Sequence, residues 1–111
     1  MPVRSIATFH AQPGAGAAFE AAYREGQFLE RAVTNPGFIR GELLRCTDDP
    51  DRFVAIAEWE DAAAYAAWQA AYGTLPAGPT EAMFAALDGA PVSLVGEIIL
   101  TADPDTTEPP A

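Results

Sequence analysis

Four short segments of the chain carry the alternating or continuously apolar patterns that predict β-strands. They cover residues 3–11, 38–46, 53–59 and 92–100. In the first segment Val3, Ala7 and Phe9 fall on one face, because side chains of a strand alternate between its two sides. Arg4 and His10 fall on the other face. This parity predicts which side chains of the sheet point into the protein.

A helical pattern runs from about residue 15 to about residue 33 and predicts one long helix. Phe19, Tyr23 and Val33 lie along its apolar stripe, and Gly26 lies on the same stripe. A glycine inside a helix costs about 1 kcal/mol relative to alanine, so we expect close packing at Gly26.

Two further helices are predicted in the second half of the chain. Asp61 is a suitable N-cap for a helix over residues 62–72, and Gly73 is a natural stop after it. Thr80 is predicted to cap a short helix that ends near Leu87. Both helices precede the fourth predicted strand.

The order of these elements predicts an α+β, ferredoxin-like β-α-β-β-α-β subunit with an antiparallel sheet and an extra short helix. The domain is expected to span residues 1–101, and the acidic, proline-rich segment 102–111 is expected to be disordered. In this fold the helices cover one sheet face only. The other face carries Ile6, Val54 and Ile56, and a second copy of the same sheet is its simplest cover. The sequence therefore predicts a homodimer.

Composition narrows the choice of partners and compartment. The chain has 111 residues, 16 acidic and 6 basic, and a formal net charge of −10. Such a charge repels phosphate backbones and anionic lipid, so neither nucleic acid nor a membrane surface is an expected partner. No continuous apolar run resembles a signal peptide or a membrane span, and Cys46 is the only cysteine. A cytoplasmic location is the expectation.

The usual signatures of nucleotide, nucleophilic and metal chemistry are incomplete here. PGAGAAF (13–19) follows a strand and opens a helix, but it lacks the third glycine of a dinucleotide loop. Ser5 and His10 are an odd number of residues apart on one strand, so they point to opposite faces. A single histidine gives no ordinary metal-binding set. No metal and no bound cofactor are therefore expected.

The aromatic residues are the most informative part of the sequence. Phe53 and Trp59 alternate with Ala55 and Ala57 on one strand face, and an aromatic and amide stripe follows on the next helix at Tyr65, Trp68, Gln69 and Tyr72. Large rings around small residues predict a hollow rather than a filled core. The indole and phenol groups bring donors that need partners when buried. Ordinary core packing of the same rings stays an open alternative on periodicity alone.

Three stretches carry a family resemblance: PGFIRGELLR (36–45), DDPDRFVAIAEWED (48–61) and AAAYAAW (62–68). Together they resemble the antibiotic biosynthesis monooxygenase family, and the resemblance extends over about residues 3–100. It implies a dimeric α+β barrel built of ferredoxin-like subunits. The family includes cofactor-independent oxygenases of anthrones, quinol monooxygenases and haem-degrading enzymes.

The resemblance also implies roles for individual residues. Trp59 and Tyr65 match the active-site tryptophan and tyrosine of the anthrone oxygenases, and Trp68 matches a helix tryptophan of the haem-degrading branch. The chain departs from the family at Ala55, where the polyketide oxygenases have an asparagine, and at Ala7, where the haem degraders have one. No histidine stands near residue 78, where the haem degraders have their axial ligand, which argues against haem degradation. The arginine of the anthrone oxygenases also has no counterpart in 81–84, so the donor set of that branch is incomplete here.

These observations predict a cofactor-independent monooxygenase that oxidises a phenolic, polycyclic, polyketide-like substrate of the anthrone or quinol type, with O2 as co-substrate, in antibiotic or secondary-metabolite biosynthesis. Trp59 and Tyr65 are the predicted catalytic donors. The predicted substrate-binding residues are Phe53, Ala55, Ala57, Trp68, Gln69, Tyr72, Ala7 and Phe9. A polyketide cyclase or isomerase on the same fold, and a non-catalytic binding protein for an aromatic metabolite, remain as alternatives.

Overall fold

The structure, a computed structural model, describes residues 1–71 and 77–104. Within these residues the chain forms four strands and four helices. In chain order they are β1 (Val3–His10), α1 (Gly16–Glu25), α2 (Phe28–Val33), β2 (Phe38–Arg45), β3 (Arg52–Trp59), α3 (Ala62–Ala71), α4 (Ala77–Ala85) and β4 (Val92–Glu97). Three of the sequence predictions fall on residues outside the described part: Tyr72, Gly73 and the segment 105–111.

The four strands form one antiparallel sheet in the order β2-β3-β1-β4. This arrangement confirms the predicted α+β, ferredoxin-like fold. Ser5 pairs with Ala57, and Ala7 pairs with Ala55. Paired residues of neighbouring strands project from the same face of a sheet. The sheet face predicted for Ala7 in the first strand therefore also carries Ala55 and Ala57 of the third strand.

The main core lies between one end of this sheet and the helices α1 and α4. Phe19 is fully buried, and its ring lies 5.1 Å from the ring of Phe9 and 4.7 Å from the ring of Phe53. Met83 of α4 is buried in the same cluster. Since this cluster fills only one end of the sheet, the space above the other end depends on α2 and α3.

The prediction of one long helix over 15–33 is wrong, because the chain breaks between α1 and α2. Gln27 adopts a left-handed backbone conformation with φ of 54°, and Phe28 turns back into the core with 1% of its surface exposed. A Cβ on Gly26 would stand 2.7 Å from the Phe28 ring. The close packing expected at Gly26 is confirmed, and it accompanies a break rather than a continuous helix.

Several element boundaries also differ from the prediction, most clearly those of α4 and β4. Thr80 lies inside α4, which begins at Ala77, so it is not the N-cap. β4 ends at Glu97 rather than near residue 100, and the following Ile99 and Leu100 are 77% and 89% exposed. The cap predicted at Asp61 is confirmed, because Oδ1 of Asp61 accepts a 2.9 Å hydrogen bond from the backbone N–H of Ala64.

Asp51, in the turn before β3, connects that turn to the start of α1. Its two carboxylate oxygens accept hydrogen bonds of 3.0 Å from the N–H of Gly14 and 2.9 Å from the N–H of Gly16. The bond to Gly16 satisfies an N–H group that α1 leaves unpaired at its start, and the bond to Gly14 holds the turn before it, so Asp51 acts as a cap supplied from elsewhere in the chain.

Replacement Asp51→Ala is expected to lower the free energy of unfolding by about 1–2 kcal/mol, because two backbone donors lose their partner. Urea denaturation measures this change. Asp48→Ala in the same turn is the matched control, since Asp48 is exposed and makes only a 3.4 Å surface ion pair with Arg52. The control is expected to change stability by less than about 0.5 kcal/mol. Equal effects of the two variants would contradict the capping role.

The sheet face opposite the helices carries an apolar patch. Ile6 pairs with Ile56 of β3 and with Leu94 of β4, and Val54 lies in the next row of the same face. Leu94 is 58% exposed. An ion pair of 3.0 Å between Arg4 and Glu58 borders the patch. No helix among the described residues is long and apolar enough to cross a membrane.

Candidate active site

Small residues of β1 and β3 form the floor of a cavity between the sheet and α3. Ala7 and Ala55 are paired across the two strands, and Ala57 stands one row further along the same face. A methyl side chain reaches only a short distance above the sheet, so these positions leave space that a larger aliphatic residue would fill. The helix α3 lies above this region and contacts β3.

The cavity has a volume of about 250 Å³. This volume lies just below the usual range of small-molecule sites, which is roughly 300–1,000 Å³. Its lining is mostly aromatic and aliphatic, with a few hydroxyl and amide groups. The lining residues are Ser5, Ala7, Phe9, Tyr23, Phe28, Leu29, Ala32, Phe38, Ala55, Ile56, Ala57, Trp59, Tyr65, Trp68, Gln69, Phe84, Pro91 and Ser93.

The structure brings together most, but not all, of the residues predicted for the site. Trp59, Tyr65, Trp68 and Gln69 line one cavity with Ala7, Phe9, Ala55 and Ala57. Phe53 packs in the core, where its ring lies 4.7 Å from the ring of Phe19, and it does not belong to the cavity lining. Tyr72 lies outside the described residues.

Trp59 is the centre of the aromatic group at the sheet end of the cavity. It is 1% exposed, and its ring lies 5.3 Å from Phe38 in an edge-on contact and 6.2 Å from Trp68 in a stacked contact. The ring of Tyr65 is 5.9 Å away. Such aromatic pairs are favourable beyond the surface they bury, so they hold the indole in one orientation.

Two hydroxyl groups of the cavity each accept a hydrogen bond from a neighbouring side chain. The indole Nε1–H of Trp59 donates to Oγ of Ser5 over 3.0 Å. The amide Nε2–H of Gln69 donates to the phenol oxygen of Tyr65 over 2.7 Å. A hydroxyl that accepts one hydrogen bond still has its own proton to donate. Both hydroxyls are therefore available as donors to a ligand.

Burial raises the pKa of the Tyr65 phenol above its ordinary value of 10.0, because desolvation disfavours the phenolate. Tyr65 is thus protonated throughout the neutral and mildly alkaline range. No side chain of Asp, Glu, His, Lys or Arg belongs to the described lining of the cavity. Within residues 1–71 and 77–104, no group of three or more His, Cys, Asp or Glu is arranged to hold a metal ion.

Several lining residues are absent from the predicted site, and two of them, Ser5 and Ser93, carry hydroxyl groups. Ser5 shares its strand face with Ala7, and Ser93 pairs with Ala7 from the edge strand β4. The parity of the first strand is a signal that could have identified Ser5. Ser93 has no comparable signal, because its position beside Ala7 depends on the register between β4 and β1.

The family model for antibiotic biosynthesis monooxygenases matches residues 2–73. The chain therefore belongs to this family. The match covers the first three strands and the helix α3, which are the elements that build most of the cavity. No curated protein sequence matches the chain.

Solved structures with the same fold include oxygenases of known type. SnoaB, a cofactor-independent oxygenase from Streptomyces nogalater, is 28% identical with a TM-score of 0.70, and the alignment covers 90% of this chain and 95% of SnoaB. A mutant of SnoaB is 27% identical, with a TM-score of 0.72 and the same coverage. Rv0793 from Mycobacterium tuberculosis is 16% identical with a TM-score of 0.74, covering 93% of this chain and all of that one, and shows the shared fold alone.

Proposed function

We propose that the protein is a cofactor-independent monooxygenase that oxidises a phenolic polycyclic compound of the anthrone or quinol type with O2. The observation that carries the proposal is the cavity itself, about 250 Å³ in volume, with an aromatic wall, an alanine floor and two hydroxyl donors. Its similarity to SnoaB, a cofactor-independent oxygenase, supports the same reaction class. A polyketide-like metabolite is the substrate class that fits this lining.

The shape and polarity of the cavity favour a flat ligand. Trp68, held by its stacked contact with Trp59, belongs to the wall on which a polycyclic system can stack, while Ala55 and Ala57 leave space beneath it. A hydrophobic wall also excludes water, which strengthens hydrogen bonds between the hydroxyls and a developing oxyanion. The volume matches a compound of a few fused rings better than a much larger macrocycle.

The proposed reaction needs no bound redox group, because an ionised anthrone is itself a reductant. Loss of a proton from the ring CH2 gives a delocalised enolate, which transfers one electron to O2. The resulting superoxide and substrate radical combine to a peroxide anion, which takes up a proton. Loss of the second C–H proton and cleavage of the O–O bond then give the quinone carbonyl and water. One oxygen atom enters the product and the other leaves as water.

The protein contributes to this reaction through hydrogen-bond donors rather than through a general base. Since no ionisable acid or base other than tyrosine lines the described cavity, the first proton leaves to solvent from a substrate whose acidity the donors increase. Tyr65, protonated and supported by Gln69, is the proposed catalytic donor to the enolate oxygen. Preorganised donors of this kind stabilise charge where it develops during the reaction.

Oxygen uptake with a dihydroxyanthrone in chelator-treated, air-saturated buffer tests the proposal. The protein is expected to raise the rate of oxygen consumption well above the uncatalysed rate and to form the corresponding quinone. Tight binding of the anthrone without faster oxygen uptake would instead indicate a binding protein. Conversion under strictly anaerobic conditions would indicate a cyclase or isomerase.

We also propose that the protein functions as a homodimer formed through the open sheet face. The Arg4–Glu58 ion pair borders the apolar patch of Ile6, Val54, Ile56 and Leu94. A two-fold axis can place Arg4 of one subunit opposite Glu58 of the other. Covering such a patch removes apolar surface from water, which is the main driving force of association.

Sedimentation equilibrium is expected to give a dimer for the wild-type chain and a monomer for Leu94→Glu. The matched control is Val33→Glu, a change at a residue of α2 that is 65% exposed and distant from the sheet face. The control is expected to stay dimeric. A wild-type chain that sediments as a monomer at micromolar concentration would contradict the proposed interface.

A further inference from the structure

Ser5 lies at the point where the sheet floor meets the aromatic wall of the cavity. It belongs to β1, pairs with Ala57 of β3, and is 9% exposed. Its side chain lies on the same sheet face as Ala7 and lines the same cavity. With Ser93, Ser5 is one of two serines in a cavity lining that is otherwise mostly alanine and aromatic residues.

The hydrogen bond between Trp59 and Ser5 decides which of the two side chains can donate a hydrogen bond to a ligand. An indole has a single N–H donor and no acceptor, and that donor is directed at Oγ of Ser5 over 3.0 Å. A substrate oxygen could use the indole donor only by displacing Ser5. The serine hydroxyl accepts this bond, and its own proton has no acceptor among the residues that the structure describes.

We propose that Ser5, and not Trp59, donates a hydrogen bond to an oxygen of the bound phenolic substrate, and that Trp59 is a positioning residue that acts through Ser5. The inference rests on the proposed oxygenase function and assigns a donor that the family resemblance does not. The accepted bond from Trp59 fixes the position of Oγ and strengthens the hydroxyl as a donor, because linked hydrogen bonds polarise one another.

The pair Gln69–Tyr65 repeats the same arrangement on α3. Each pair consists of an N–H donor, a hydroxyl that accepts from it, and a free hydroxyl proton at the cavity. One pair stands on the sheet and the other on the helix, so a substrate held between them meets a donor from each side. This geometry fits a substrate with oxygen substituents on more than one ring.

The phenol pKa of a bound dihydroxyanthraquinone tests the assignment without any turnover. This compound resembles the product, cannot be oxygenated further, and changes its absorbance on ionisation. Ser5→Ala is expected to raise the pKa of the bound phenol by about one unit, a tenfold lower ionisation constant, because a donor to the phenolate is lost. Ser5→Thr keeps the hydroxyl and is expected to restore most of the shift. Thr8→Val removes a hydroxyl from the opposite face of β1 and is the control, with no expected change.

Trp59→Phe and the double variant separate the two roles. If Trp59 acts through Ser5, adding Trp59→Phe to Ser5→Ala changes the bound phenol pKa no further, since Ser5→Ala has already removed the hydroxyl that Trp59 positions. A shift in Trp59→Phe with none in Ser5→Ala would overturn the assignment and make Trp59 the donor. Failure of the wild-type protein to bind the compound would refute the proposed function as well, whereas normal binding with an unchanged pKa in Ser5→Ala refutes this inference alone.

Discussion

Tyr65→Phe is expected to lower kcat/KM for oxygenation of a dihydroxyanthrone by about 100-fold or more, the usual effect of removing one preorganised donor to an oxyanion. Tyr65 is the only ionisable side chain of the described lining besides Tyr23, and burial keeps it protonated by raising its pKa. The phenylalanine ring keeps the 5.9 Å contact with Trp59, so the hydrophobic wall persists. The loss then reflects the hydroxyl alone.

Steady-state oxygen uptake and thermal unfolding of Tyr65→Phe together check this prediction. The midpoint of unfolding is expected to stay within a few degrees of the wild-type value, because Tyr65 is half-buried and its hydroxyl, among the described residues, bonds to Gln69 alone, over 2.7 Å. Gln69→Met is the graded control. It removes the hydrogen bond from Gln69 to the Tyr65 hydroxyl but keeps the hydroxyl itself, so a smaller loss of kcat/KM is expected. A variant Tyr65→Phe with unchanged kcat/KM would exclude Tyr65 as a catalytic residue.

The second large effect is expected from filling the floor of the cavity with Ala55→Leu. A leucine at this position projects into the hollow between Ala7 and α3, and binding of a dihydroxyanthraquinone is expected to weaken about 100-fold. Protein stability is expected to hold or rise by about 1–2 kcal/mol, because the added carbons bury apolar surface in space that is empty in the free protein.

Ala21→Leu is the matched control, since Ala21 lies exposed on α1. It makes the same chemical change away from the cavity, so binding is expected to be unaffected. Fluorescence quenching of the tryptophans measures binding, and urea denaturation measures stability. An Ala55→Leu protein that binds normally and loses about 1–3 kcal/mol would show that the floor is a filled core, since overpacking has that cost.

The sheet and its inward face were predictable, because a strand has a strict period of two. The alternation of Val3, Ala7 and Phe9 predicted the face that meets the helices, and the same parity at Ala55 and Ala57 predicted the floor of the cavity. The aromatic stripe of α3 was predictable for a similar reason, since helical spacing places Tyr65, Trp68 and Gln69 on one side.

Features that depend on contacts between distant residues were not predictable in this way. The helix break at Gln27 accompanies the packing of Phe28 on Gly26, which local propensity does not contain. Phe53 has the right parity for the site, but its ring packs against Phe19 in the core. The bond between Trp59 and Ser5 joins residues 54 positions apart and needs the strand register.

The proposed reaction is monooxygenation of a polycyclic phenol in the cavity between the sheet and α3, without a bound redox group. The most direct measurement is mass spectrometry of the quinone formed from a dihydroxyanthrone by chelator-treated protein under dioxygen labelled with oxygen-18. We expect one labelled oxygen atom in the product, formed at a rate that depends on the protein and that falls in Ala55→Leu. Product formed no faster than without protein, or product whose new oxygen comes from water, would contradict it.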